Sequence, residues 1–125
     1  LQSDSAPVSA SPLELRSVRF VGKGNGLELH SGELAKVVVE VYNNTPEYMY
    51  NVRPMVMETS GNKHVFVSAP IIVEKIAPGK GIRYTAMVKA DKKLKDGKVH
   101  FTVCAQESAQ LRKSEIREFD VTTIR

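Results

Sequence analysis

The chain has 125 residues and a formal net charge of +4; 42% of residues are hydrophobic, 26% charged and 6% aromatic, and there is no Trp. That length makes one domain able to bury a core without disulfides. The balance excludes a disordered chain, a collagen-like repeat and a disulfide scaffold. No stretch approaches the roughly 20 consecutive apolar residues of a membrane-spanning helix.

The sequence opens at Leu1, and residues 1–12 are small, polar and Pro-containing with no periodicity. They are expected to form a flexible tether, suited to follow an export signal or to join a neighbouring domain. From there the hydrophobic period is two. Residues 13–21 pair Leu13 with Leu15 and then Val18 with Phe20. The slip near Ser17 predicts a bulge or a strand that changes sheets. In 34–42, Ala35, Val37, Val39 and Val41 share one face and Lys36, Val38, Glu40 and Tyr42 the other. Residues 48–58 carry Pro54 inside a strand pattern; proline donates nothing to a ladder, so this strand lies at an edge or bulges there. Short strands are predicted at 64–68 and 71–76, split by Pro70. In 81–89, Ile82, Tyr84, Ala86 and Val88 oppose Arg83, Thr85, Met87 and Lys89; in 97–106, Val99, Phe101, Val103 and Ala105 point inward. Residues 115–123 supply the last strand, with a slip between Ile116 and Phe119.

Gly, Pro, Asn and Asp clusters punctuate these runs at sandwich spacing. The expected fold is therefore all-β: an immunoglobulin-like antiparallel two-sheet sandwich of about seven to nine strands over residues 13–125. The runs at 13–21, 34–42, 71–76 and 81–89 are assigned to one sheet. Those at 48–58, 97–106 and 115–123 are assigned to the other, with 64–68 at an edge.

Motifs for chemistry are sparse. GKGNG at 22–26 lacks the spacing and following helix of a dinucleotide fingerprint, and PGKG at 78–81 lacks the Ser or Thr and helix of a P-loop. Both read as turns. His30, His64 and His100 are far apart in sequence and the acidic residues are scattered singly, so neither a metal site nor a carboxylate pair is expected. His100 and Cys104 would stand about 13 Å apart along one strand, too far for a thiolate pair. Cys104 is the sole cysteine and is expected to be a partly covered residue on a sheet face. Asn43-Asn44-Thr45 matches a glycosylation pattern and carries little weight beside Pro46. The lysine-rich run KADKKLKDGK (89–98) has no interleaved aromatic. It reads as a solvated turn, with contact to phosphate or an acidic surface as the alternative, and nucleic acid is not expected as a partner. No enzyme activity, cofactor or metal is expected.

The informative anomaly is apolar residues on outward faces. Val38, Tyr42 and Met87 fall on one sheet, and Met55, Met57 and Cys104 on the other. Exposed methionines mark partner surfaces, so Val38, Tyr42, Met55, Met57 and Met87 are the candidate contact residues. Tyr48 and Tyr50 form either a corner cluster or an exposed contact.

The order of signals resembles a family of bacterial immunoglobulin-like modules, the cell adhesion related domain found in bacteria (CARDB). The resemblance runs over about residues 13–123: Val18-Arg19-Phe20, Leu27-Glu28-Leu29, Ser31-Gly32-Glu33 before a Val-rich strand, Asn43-Asn44, Asn51-Val52, Ile76-Ala77-Pro78-Gly79 and Asp96-Gly97. It departs from the family where Asn43-Asn44-Thr45-Pro46 replaces a glycine-containing loop and at Pro54. The resemblance implies a non-catalytic accessory or spacer module of a larger exported or cell-envelope bacterial protein, acting by protein contact. The alternative is a ligand-binding sandwich, for glycans for example, with Tyr42, Tyr48 and Tyr50 as the candidate stacking rings.

Overall fold

The computed structural model describes residues 11–24 and 26–125. The expected tether at 1–12 lies outside the described residues up to position 10, as does Asn25 of the glycine-rich turn. Nine strands follow in order: β1 (Leu13–Val21), β2 (Glu28–His30), β3 (Leu34–Asn43), β4 (Met49–Glu58), β5 (Val65–Val67), β6 (Val73–Ile76), β7 (Gly81–Ala90), β8 (Gly97–Glu107) and β9 (Arg117–Ile124). They form two sheets, a first of order β1-β3-β7-β5 and a second of order β2-β9-β8-β4-β6.

Alternation decides which face each strand buries. Val37, Val39 and Val41 of β3, Val88 of β7 and Val99, Phe101 and Val103 of β8 are all fully buried. Phe101 sits centrally, stacked on Phe119 at 5.4 Å and facing Phe20 across the two sheets at 6.4 Å. Each such side chain contributes about 1.5–3 kcal/mol by leaving water. The slip near Ser17 is a bulge: the register of β1 on β3 shifts between Leu15 and Ser17, which keeps Leu15 and Val18 both on the core side. Pro54 pairs with Ala105 of β8 on one side, while β6 reaches only Met49–Val52 on the other. It thus occupies a stretch of β4 with one open edge, where a missing N–H costs no ladder bond.

Three expectations are corrected. Residues 71–76 do not join the first sheet: β6 pairs with β4 in the second, and β5 takes the place on β7 instead. Both segments are short and apolar, and the period of two reports a buried face without reporting which sheet owns it. Second, β2 pairs with β9 in parallel, so the sandwich is not purely antiparallel; three residues are too few to show alternation. Third, the last strand does not begin at 115: β9 begins at Arg117 and Ile116 lies exposed before it, which accounts for the slip between Ile116 and Phe119.

Candidate functional site

The two ends of the sandwich are built on different polar anchors. At one end the fully buried Asn43 joins two loops. Its Nδ2 donates to the carbonyls of Glu47 (2.7 Å) and Ile76 (2.9 Å), and its Oδ1 accepts from the backbone N–H (2.9 Å) and hydroxyl (2.7 Å) of Thr45. Its backbone N–H donates to Lys80 and its carbonyl accepts from Gly79. Gly79 has φ of 70°, a left-handed conformation that favours glycine. Asn43 is therefore structural, and its side chain is closed to glycosylation. Beside it, fully buried Glu107 accepts from Arg112 at 3.0 Å (Nε) and 2.9 Å (Nη2). The Arg112 guanidinium holds the Glu107 carboxyl below its ordinary pKa, against the opposing effect of burial.

At the other end the anchor is Glu33, buried at the start of β3. It accepts from the backbone N–H groups of Lys23 and His30 and lies 3.2 Å from His30 Nδ1. Burial alone would raise its pKa, but the backbone donors at His30 and Lys23 outweigh it and the net shift is downward. The Gly32-Glu33 pair of the sequence pattern therefore folds the β2–β3 turn and ties down the loop after β1.

The outward face of the first sheet divides into two halves. In the half near Asn43, Arg83 pairs with Glu40 at 3.2 Å and Arg16 with Glu14 at 2.9 Å. Tyr42 is covered there too: the Arg16 guanidinium lies 3.8 Å from its ring centre, and a methyl at Gly81 would meet the ring at 2.8 Å. The tyrosine thus fills the gap that glycine leaves across the strand pair. In the half near Glu33, the register aligns Val21, Lys36 and Met87 in one row and Leu34, Lys89 and Phe66 in the next. Val21, Leu34, Phe66 and Met87 are all exposed, and Val38 below them is only 8% accessible. These rows contain no carboxylate.

Of the candidate contact residues, Met57 and Met87 are exposed, Tyr42 and Met55 are half-buried and Val38 is covered. Met55 and Met57 lie on the opposite side of the molecule, beside Cys104 and Thr102 respectively. That face is charged: His100 bridges Asp120 (2.6 Å) and Glu118 (2.7 Å), which raises its pKa. The Cys104 thiol is pushed up by burial, partly offset by Lys113, so it stays protonated and a poor nucleophile. Val21, Leu34 and Phe66 escaped the sequence reading. Leu34 shares the outward parity of Lys36 and Val38 and was legible; Phe66 became a neighbour only once β5 paired with β7.

Tyr48 and Tyr50 are exposed and stacked on each other at 6.2 Å, with Lys75 5.7 Å from the Tyr48 ring. Tyr42 lies on the other sheet, so the paired rings are Tyr48 and Tyr50. A lateral cleft of about 230 Å³ between Phe20 and Phe119 is below the usual size of a small-molecule site. Among the described residues no group of three or more His, Cys, Asp or Glu is placed to hold a metal ion. None forms a helix long and apolar enough to cross a membrane.

No protein-family model matches the chain. No curated protein matches it in sequence. Solved structures do resemble it in fold. It is similar to a part of Escherichia coli alpha-2-macroglobulin spanning domain MG7 to the C-terminus (TM-score 0.63, 13% identity), covering 91% of this chain and 17% of that one. It is similar to the FixG-related protein of Vibrio parahaemolyticus (TM-score 0.58, 12% identity; 91% and 98% covered). It is also similar to the CARDB domain of the PF1109 protein of Pyrococcus furiosus, described in complex with di-metal ions (TM-score 0.54, 13% identity; 94% and 98% covered). The fold is thus a CARDB-like β-sandwich, the kind that also stands as a small part of a much longer chain.

Proposed function

We propose that this chain is a non-catalytic accessory module of a larger exported or cell-envelope protein, and that it acts by protein contact. The observation that carries the reading is the carboxylate-free half of the first sheet's outer face. Four exposed apolar side chains, Val21, Leu34, Phe66 and Met87, surround Lys36 and Lys89 there. A sandwich face without a partner is ordinarily polar, whereas contiguous exposed apolar side chains suit a protein interface. Met87 and Val38 belong to this face; Tyr42, Met55 and Met57 take no part in it. The reading calls for no cofactor.

The test is site-specific photocrosslinking in the full-length parent protein. A crosslinker at position 66 or 87 is expected to capture one defined protein or neighbouring domain, and one at position 83, in the ion-paired half, to capture none. The complex should be lost in Phe66→Asp and Met87→Asp. Equal capture from all three positions, or none from any, removes the reading.

A further inference from the structure

The lysine-rich segment between β7 and β8 is not a loose turn. Its Leu94 is buried to 1% accessibility and pins the loop to the core. Asp91 donates its backbone N–H to His64 (3.0 Å) and accepts at its carbonyl from Gly32 (3.0 Å). The Lys95 carbonyl accepts from the hydroxyl of Thr123 at 2.7 Å, and Asp96 accepts from the backbone N–H of Arg125 at 2.8 Å. The loop so held lines a groove of about 560 Å³ with Lys92, Lys93, Leu94, Lys95, His64 and Arg125.

The carboxylates next to this groove do not line it and are bonded to its rim. Asp91 faces His64 Nδ1 at 2.9 Å and accepts from the backbone of Lys93 at 2.8 Å, and Asp96 is held by the Arg125 backbone. Among the described residues no lysine forms an ion pair; every pair uses Arg or His. Lys92, Lys93 and Lys95 therefore line one fixed groove together with Arg125, outnumbering the neighbouring Asp91 and Asp96, and that excess of positive charge attracts anions.

We infer that this groove binds an acidic segment of a partner protein. No Phe, Tyr or Trp lines it, and the single ring there, His64, is tied to Asp91 at 2.9 Å, so a nucleic acid would find no run of stacking rings. Three of the loop amides, those of Asp91, Lys93 and Leu94, are already bonded within the fold, so the loop presents no continuous run of free N–H groups to a phosphate. What remains is a set of separate ammonium groups along an open groove. That suits an anion carrying single carboxylates along a chain. The groove is separate from the contact face proposed above, and neither requires the other.

The experiment is fluorescence anisotropy of the full chain with a labelled peptide of repeated Glu-Glu-Leu, at low salt where such attraction is strongest. Binding is expected to weaken at least about tenfold in Lys92→Glu/Lys93→Glu/Lys95→Glu, a loss of about 1.4 kcal/mol. Lys75→Glu/Lys80→Glu/Lys113→Glu changes net charge equally at other sites and should leave binding within about threefold. All six lysines are exposed, and a melting curve for each variant verifies the fold. Absence of binding overturns the inference. So does equal loss in both variants, or tighter binding of a single-stranded oligonucleotide or of inorganic phosphate than of the peptide.

Discussion

The two ends of this sandwich arrange their charged side chains in opposite ways. At the Asn43 end carboxylates meet arginines: Glu107 and Glu47 on Arg112, Glu14 on Arg16 and Glu115 on Arg117. At the Glu33 end carboxylates meet backbone amides or histidine. Glu33 takes the N–H groups of Lys23 and His30, Glu58 those of Ser60, Gly61 and Asn62, and Asp91 that of Lys93 with the His64 ring. The lysines around them are left without partners. A carboxylate bound to backbone N–H groups closes a loop; one bound to a side-chain cation neutralises a surface. The first end therefore has its carboxylates neutralised by arginines, while the second keeps three neighbouring lysines, Lys92, Lys93 and Lys95, on one loop.

The largest effect should come from breaking the arginine-paired end. Arg112→Ala leaves Glu107 buried without its cation, a loss of about 3–5 kcal/mol measurable by urea unfolding. The pH profile should change with it. Glu107 has a lowered pKa in the fold, so its contribution is present above the ordinary carboxylate value and is lost as pH falls through the lowered one. In the variant that acid-side loss should shrink; an unaltered acid limb would show that Glu107 is not the group responsible.

Next in size is Asn43→Ala, which removes the donors to Glu47 and Ile76 and the acceptor for Thr45. A cost of about 2–3 kcal/mol is expected, and faster amide exchange at Thr45 should accompany it. The smallest effect belongs to the lysine-bearing end. Lys92→Ala/Lys93→Ala should stay within about 0.5 kcal/mol of the parent, since neither side chain has a partner to lose. A marked destabilisation would mean that these lysines hold the fold and that the asymmetry between the ends is false.

Much of the fold was legible from residue pattern. The bulge at Ser17, the edge position of Pro54 and the inward valines of β3 all follow from local rules of alternation and backbone hydrogen bonding. The exchange of β5 and β6 between sheets did not, because two short apolar segments around Pro70 satisfy the same pattern in either place. The anchors were visible only as letters. Glu33 read as a scattered acid and Asn43 as part of a sugar-acceptor pattern; each became a hub when distant loops supplied its partners. The candidate contact residues fared similarly: parity placed all of them outward, and neighbours decided that Val38 is covered while Met57 and Met87 are not.

By itself, then, the amino-acid order determined an all-β sandwich, the inward face of each long strand and the sites of its turns, because those depend on neighbours two to four residues away. Only the tertiary structure decided which strands share a sheet, which carboxylates are engaged, and hence where charge and apolar surface stay free. Those outcomes depend on contacts between residues tens of positions apart, which a periodic pattern does not encode.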